Sequence, residues 1–436
     1  MLKQTVVNVV TLGCSKNLVD SERLLKMLSE AGCSTLVEAS SDKLPKDAVV
    51  IINTCGFIAD AKEESINTLL EWGELRKSGR ISRLIAMGCL SERYRQDLPA
   101  LVPEVDKWFG KTDWSGIVEY LVHQRPAVAP YDRMITTPRH HAYMKIAEGC
   151  NRFCAFCAIP LITGRFHSRP IEELVSEAKS LVAQGVTEIN IIAQDLSAYG
   201  TDIYGESRLA KLVDTLADVQ GLRWIRLHYA YPAGFPLDIL DVMARRDNVC
   251  KYLDIALQHI ADPVLTNMRR HITAQQTREL LAEIRRRVPG IHIRTTLMVG
   301  FPGEGEKEFN ELLDFVREQR FERMGAFAYC EEEDTFAAKN FEDNIPPEVK
   351  QERLDKLMAL QEEISLEIQQ QKIGTRMDVV VDREDPDYYV CRSQYDSPEV
   401  DPEILVTKSR KLKRGQTLCV TIKSALPFEL MADPVD

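Results

Sequence analysis

Short apolar runs alternate with helical patterns along most of this chain, and that alternation constrains the fold more than any other feature. Val6–Leu12, Ala48–Asn53 and Leu84–Met87 are strand-like runs of β-branched and aliphatic residues. The helical patterns Leu18–Ala31, Ala59–Ser78 and Ser91–Leu98 follow them in turn. Strands that alternate with helices build a parallel sheet with helices on its faces. A second series begins near Ala142. Its six strand candidates are Tyr143–Ala147, Glu188–Ala193, Trp224–Tyr229, Tyr252–Leu257, His292–Val299 and Arg323–Tyr329. Helical patterns at Glu172–Gln184, Arg208–Val219 and Ala274–Arg287 separate them, and a long one, Pro347–Gln371, closes the series. Six βα units predict an incomplete barrel rather than a closed eight-fold one. In either layout, function belongs at the carboxyl ends of the strands.

The pattern then changes. Met377–Asp382, Tyr388–Arg392, Ile404–Thr407, Leu418–Ile422 and Phe428–Met431 read as five short strands. Asp385-Pro386, Ser397-Pro398, Gly415 and Pro427 mark the turns between them. Such strands predict a small antiparallel β-barrel. The stretch from Pro126 to Pro138, with three prolines, reads as a linker. The expected fold class is α/β, with domains at 5–122, 136–370 and 372–435.

Composition narrows the function. The 436 residues carry a formal net charge of -11, which argues against a generally basic nucleic-acid binder. No run approaches the ~18 apolar residues of a membrane span. Met1 to Asn8 lacks the basic-then-apolar layout of a signal peptide, so a cytoplasmic location is expected. The 11 cysteines are too sparse for a disulfide scaffold. A cytosolic chain keeps such thiols for metal or catalysis.

Two sets of cysteines stand out. Cys150, Cys154 and Cys157 lie in Glu-Gly-Cys-Asn-Arg-Phe-Cys-Ala-Phe-Cys, just after the first strand of the second series. Thiolates select zinc or an iron–sulfur cluster. Structural zinc wants four ligands, and only His140, His141 and His167 stand nearby as a fourth. Cys14, Cys55 and Cys89 are far apart in sequence, yet each ends a strand and each has a glycine beside it: Gly13, Gly56 and Gly88. The carboxyl ends of parallel strands share one edge, so three such cysteines can meet there. Glycine permits close backbone approach to a bulky ligand. The alternative is that each is a buried small hydrophobe. Cys33, Cys250, Cys330, Cys391 and Cys419 show no pattern and read as core or surface thiols.

The Cys-x-x-x-Cys-x-x-Cys run, with Phe156 before its third cysteine, resembles the radical S-adenosylmethionine superfamily. The glycine-flanked N-terminal cysteines and the C-terminal barrel narrow the likeness to the methylthiotransferases over the whole chain. That resemblance implies an N-terminal cluster domain, a (β/α)6 radical core and a TRAM barrel. It implies two [4Fe-4S] clusters, one on Cys150, Cys154 and Cys157 and an auxiliary one on Cys14, Cys55 and Cys89. The first would bind S-adenosylmethionine, whose reductive cleavage yields a 5′-deoxyadenosyl radical; the auxiliary cluster would deliver sulfur. Gln194, Asp195, Gln258, His259, Gly300, Gly303 and Glu304, all at strand ends, would contact the cofactor, with Pro302 in the same turn. Arg165 and Arg169 would meet a carboxylate. The sequence departs from the family pattern at Thr163-Gly164, His167-Ser168-Arg169, Ser15 and Ala256, none of them a cluster ligand.

One branch of the family modifies transfer RNA; the other, the RimO type, modifies an aspartate of small-subunit ribosomal protein twelve. From Gln371 to Asp436 there are 10 Lys plus Arg against 12 Asp plus Glu, a net of -2. RNA binding draws on clustered cations, whereas an acidic barrel suits a basic protein. The segments Arg392–Asp401 and Gly13–Asp20 resemble the RimO branch. The basic run Lys408, Arg410, Lys411, Lys413 and Arg414 is the counter-signal. The expected activity is methylthio transfer to the aspartate β-carbon, with an electron donor as second partner, no membrane, and nucleic acid only incidental. The alternatives are the transfer-RNA branch and a non-catalytic iron–sulfur scaffold or electron carrier.

Overall fold

The computed structural model describes residues 4–123, 128–129 and 131–435. The chain divides into two compact units. One holds Met1–Thr137, Tyr143–Asn151 and Cys157–Ser180; the other holds Pro138–Ala142, Arg152–Phe156 and Leu181–Asp436.

In the first unit, β1 (Val6–Thr11), β2 (Ser34–Val37), β3 (Val49–Thr54), β4 (Arg83–Gly88) and β5 (Lys107–Trp108) form a parallel sheet in the order β2-β1-β3-β4-β5. Side chains of successive strand residues point to opposite faces. Val7, Val9, Ile51, Ile85 and Met87 therefore pack on one side with helix Ser15–Glu30. Val50, Ile52, Leu84 and Ala86 pack on the other with Leu69 of helix Ala59–Lys77. The strand β2 and the helix Trp114–Val122 were not expected. The predicted helix Ser91–Leu98 is two short pieces, Cys89–Arg93 and Leu98–Leu101, with the first starting directly at the cysteine. The expected linker is corrected in part. Residues 124–127 and 130 of it and its flank lie outside the described residues, but Arg133 is buried and pairs with Glu22 at 2.5 Å and Glu177 at 3.0 Å. Thr136 N–H also donates to Glu22, so this end is anchored. This unit also contains a short antiparallel pair, β7 (Ala147–Glu148) with β8 (His167–Ser168).

In the second unit, β9 (Glu188–Ile192), β10 (Trp224–Ala230), β11 (Val249–Ile255), β12 (His292–Val299) and β13 (Arg323–Ala328) lie side by side, and β6 (His141–Lys145), whose first two residues belong to this unit, completes the six-stranded order β13-β12-β11-β10-β9-β6. The pairs β9 through β13 are all parallel. The open six-strand layout matches expectation.

The C-terminal strands β14 (Arg376–Glu384), β15 (Tyr388–Ser393), β16 (Glu403–Thr407), β17 (Thr417–Leu426) and β18 (Glu429–Pro434) close into a barrel in the order β14-β15-β16-β18-β17. Val379, Val381, Val420, Ile422, Leu430 and Ala432 fill it at alternate positions. The barrel is not wholly antiparallel: β16 pairs with β18 in parallel. Strand direction alternates along the chain, so neighbours two strands apart must run the same way.

The segment 393–401 leaves this barrel and enters the amino end of the parallel strands. Asp396 pairs with Arg323 at 2.6 Å, Asp401 accepts from the Tyr252 hydroxyl at 2.7 Å, and Arg226 donates to the Gln394 carbonyl at 2.5 Å. Tyr395 stacks on His292 with centroids 4.1 Å apart. Arg392 meets Glu188 at 2.7 Å and Asp382 at 2.8 Å. Burial alone would raise the Glu188 carboxyl, but Arg392 and Arg226 hold it down at about 2.

Candidate metal centres and cofactor site

The strands β1, β3 and β4 are immediate neighbours, and each delivers one cysteine beyond its carboxyl end. Cys14 is the N-cap of helix Ser15–Glu30, Cys55 follows β3 directly, and Cys89 opens helix Cys89–Arg93. The glycines beside them are dictated by space. Gly13 and Gly88 have φ of +86° and +100°. A Cβ on Gly13 would lie 2.7 Å from both Cβ and Sγ of Cys55. A Cβ on Gly88 would lie 2.4 Å from Asn53 Oδ1 and 2.5 Å from the Thr54 carbonyl. One on Gly56 would meet Leu90 backbone at 2.7 Å.

Buried amides and hydroxyls fix the three loops. Asn17 Nδ2 donates to the carbonyls of Leu12 at 2.9 Å and Thr54 at 3.1 Å, and Asn17 Oδ1 accepts from Cys89 Sγ at 3.5 Å. Asn53 Nδ2 donates to the Asn17 carbonyl at 2.9 Å. Ser65 Oγ accepts from Cys55 N–H and donates to the Cys55 carbonyl, both at 2.9 Å. Burial pushes the Cys55 thiol up and the Cys89 thiol up to about 12, and Cys14 and Cys55 add their own field to Cys89 while Lys111 opposes it. Metal binding requires the deprotonated thiolate. Among the described residues, no three His, Cys, Asp or Glu side chains gather tightly enough for one metal ion. A four-iron cube takes each thiolate on a different iron, a wider spacing than one zinc ion with ~2.3 Å bonds demands. The soft donors and glycine-cleared space therefore fit a cluster.

Cys89 also packs with Ala158, the N-cap of helix Ile159–Thr163, and with Ile162 inside that helix. On the approach to the second cysteine set, Glu148 is held by Lys111 at 2.6 Å and Lys145 at 2.7 Å, and both lysines reach Asp20. Burial would raise the Glu148 carboxyl; the two lysines hold it well below the usual range instead. Cys150 N–H donates to the Gly164 carbonyl at 3.2 Å. A Cβ on Gly149 would collide with the Arg165 carbonyl at 2.1 Å.

In the second unit, Cys154 follows Phe153, which has a φ of +49°. Arg270 Nη1 donates to Cys154 Sγ at 3.1 Å, and the Tyr231 hydroxyl stands 3.8 Å from that sulfur. The Tyr231 ring lies between two guanidiniums, Arg152 at 4.2 Å and Arg270 at 4.1 Å. Arg152 Nε donates to Asp195 Oδ2 at 2.5 Å. Burial pushes the Asp195 carboxyl up against the pull of Arg152.

The expected cofactor residues stand at the ends of β9, β11 and β12. Gln194 is half-buried beside Asp195. Gln258 has a φ of +70°, and its buried Oε1 has no hydrogen-bond partner. His259 and Glu304 are turned toward one another. Ala261 N–H donates to His259 Nδ1 at 3.0 Å, which leaves Nε2 to donate to Glu304 at 3.1 Å. Glu304 also accepts from Gly300 N–H and Arg353 Nη1, both at 2.9 Å. Gly300 and Gly303 have φ of +73° and +97°, and a Cβ on either would strike Lys350 or Asn267. This Gly-Phe-Pro-Gly-Glu turn is thus braced, with His259 and Glu304 spent inside the protein. Arg169, in the first unit, donates to Glu173 at 2.6 Å and to the Lys145 carbonyl at 2.8 Å, and pairs with Glu177 at 2.7 Å. Sequence reasoning missed Asn17, Ser65, Lys111, Arg152, Tyr231 and Arg270. Asn17 and Arg152 lie inside segments the sequence already marks, and Tyr231 directly follows β10; Ser65, Lys111 and Arg270 carry no local signal.

Comparison with known proteins decides the family. A ribosomal protein uS12 methylthiotransferase RimO of Porphyromonas gingivalis (strain ATCC 33277) is 54% identical over 437 residues, covering 100% of both chains. One of Phocaeicola vulgatus is 53% identical over 432 residues, covering 99% of each. The chain belongs to the RimO methylthiotransferase family. The Radical SAM superfamily matches residues 144–316, Uncharacterized protein family UPF0004 matches 6–110, and the TRAM domain matches 373–435. As a RimO-family member the chain is a radical S-adenosylmethionine enzyme. Its fold is similar to that of the radical S-adenosylmethionine methyltransferase TsrM from Kitasatospora setae, with a TM-score of 0.54 at 14% identity, covering 75% of this chain and 72% of that one. Among the described residues no helix is long and apolar enough to cross a membrane.

Proposed function

We propose that this enzyme adds a methylthio group to the β-carbon of an aspartate in ribosomal protein uS12. Its two cysteine sets would hold two [4Fe-4S] clusters, the core one on Cys150, Cys154 and Cys157 and the auxiliary one on Cys14, Cys55 and Cys89. When bound, the clusters and S-adenosylmethionine supply hydrogen abstraction from an unactivated carbon, sulfur delivery and methylation. The protein's part is binding, orientation and exclusion of water. Lys111 and Lys145 fix Glu148, and through it the loop entering Cys150. Arg152 and Ser197 orient Asp195, which accepts the Ser197 N–H at 2.9 Å. Gln258 Oε1, buried without a donor, is placed to accept from a bound amino or hydroxyl group. The slightly acidic barrel suits a basic protein substrate and an external electron donor reduces the core.

One observation carries the two-site reading: three neighbouring strands each end in a glycine-flanked cysteine, and a Cβ at Gly13 would strike Cys55. The test is anaerobic reconstitution with iron and sulfide, followed by S-adenosylmethionine and a strong reductant. Parallel tubes hold uS12, small subunits or unmodified transfer RNA, and mass spectrometry reads the product. A methylthio gain on a uS12 aspartate is expected. A gain on an adenosine instead would move the assignment to the other branch and make Lys408–Arg414 its RNA contact.

A further inference from the structure

We propose that Arg270 is a positioning residue for the core cluster, supplying the counter-charge and the N–H···S bond that hold Cys154 in its liganding pose. The inference rests on the reading of Cys150, Cys154 and Cys157 as cluster ligands.

Arg270 is only 2% exposed, yet among the described residues no carboxylate pairs with it. An isolated buried cation is strongly disfavoured, and buried charges are paired or serve bound ions. Its contacts leave the charge unanswered. Nη2 donates to the Ala256 carbonyl, and the guanidinium plane stacks on Tyr231. Nη1 points at Cys154 Sγ, and Nε has no partner. The backbone is held for the purpose. Arg269 and His271, on either side, have φ of +56° and +54°. Such strain persists only where surrounding structure imposes it, and it gathers at functional sites. Here Arg270 N–H donates to the Leu265 carbonyl at 2.9 Å, and the Arg270 carbonyl accepts from the Tyr231 hydroxyl at 2.9 Å. A cube with three thiolates is net negative, and one charge more so when reduced. It is the missing anion, and the guanidinium favours its reduced form. Hydrogen bonds to sulfur and local charge set cluster potentials.

The test compares Arg270→Gln, Arg270→Lys and Cys154→Ala in the full chain, reconstituted anaerobically. Redox titration followed by electron paramagnetic resonance reads the core cluster, with the auxiliary cluster as internal reference. Chelator challenge reads iron retention. Arg270→Gln should disfavour core reduction about tenfold, a fall of about 59 mV for one electron. It should also weaken core iron retention about 10–100-fold, as loss of an outer-shell partner does. The auxiliary cluster should not move, and Arg270→Lys should recover most of the potential. An unchanged core potential and retention in Arg270→Gln overturns the proposal, as does an equal shift at both clusters. Should Arg270→Gln not accumulate as folded protein, Arg270→Lys decides: a core potential near wild type supports the charge role, and a full tenfold loss overturns it. If Cys154→Ala keeps both cluster signals, the site assignment itself has failed, a result distinct from failure of the Arg270 role.

Discussion

Asp396 offers the sharpest test of how the barrel is joined to the parallel strands. Its side chain is 4% exposed and that of Arg323 is 5% exposed, 2.6 Å apart. Asp396 also accepts from Ser393 N–H at 3.1 Å and Ser393 Oγ at 2.6 Å. Its carboxyl is held well below the usual range: burial opposes ionisation, and Arg323 and Lys372 outweigh it. Asp396→Ala leaves Arg323 buried without its anion. Removing one partner of a buried pair costs about 3–5 kcal/mol, whereas replacing both by apolar residues is often neutral or stabilising. The assay is hydrogen exchange of the 376–434 peptides across a urea series. Asp396→Ala should lower the opening free energy of those peptides by about 3 kcal/mol or more. Arg323→Met with Asp396→Leu should recover most of it. A loss below about 1 kcal/mol for Asp396→Ala, typical of an exposed pair, would refute the reasoning. So would a double variant as weak as the single one.

Three further outcomes follow from the geometry. Gly88→Ala places a methyl against Asn53 and Thr54 at a φ of +100°; it should cost about 1–3 kcal/mol and cut auxiliary-cluster iron while sparing the core signal, measured by iron content and unfolding. Cys154→Ala should abolish S-adenosylmethionine cleavage, read by chromatography of the products, and leave the auxiliary cluster in place. Glu188 has its carboxyl depressed to about 2 from 4.5, so its stabilisation is full above about pH 4.5 and fades as pH falls toward 2. Unfolding free energy followed down that range should fall, and Glu188→Gln should flatten that part of the profile.

Where sequence and structure agree, local chemistry explains it. The limits of β12 match because Pro289-Gly290 precedes it and Gly300 ends it. The Cys14, Cys55 and Cys89 constellation was visible because strand-end cysteines in a parallel sheet have one edge to share. The short strand β2 was hidden because Ser34-Thr-Leu-Val37 is brief and half polar. Arg133 looked like part of a linker because its partner Glu22 is 111 residues away. Arg270 was hidden for the same reason, since Cys154 lies 116 residues back and nothing local separates it from Arg269. In sequence, the Arg392–Asp401 segment resembles the RimO branch. The structure shows that most of its polar groups face inward, where they complete a buried network.

That inward turn has a mechanical consequence. A barrel riveted through residues 392–401 to the amino ends of the strands travels with their carboxyl rim as one body. The barrel cannot swing out on a tether to fetch a partner and bring it back. Any surface it offers is a fixed fence, and a partner docked there must carry its own target across to the rim. Selectivity then becomes partly a matter of reach, and a partner lengthened or shortened between docking segment and target would bind as before yet present the wrong residue.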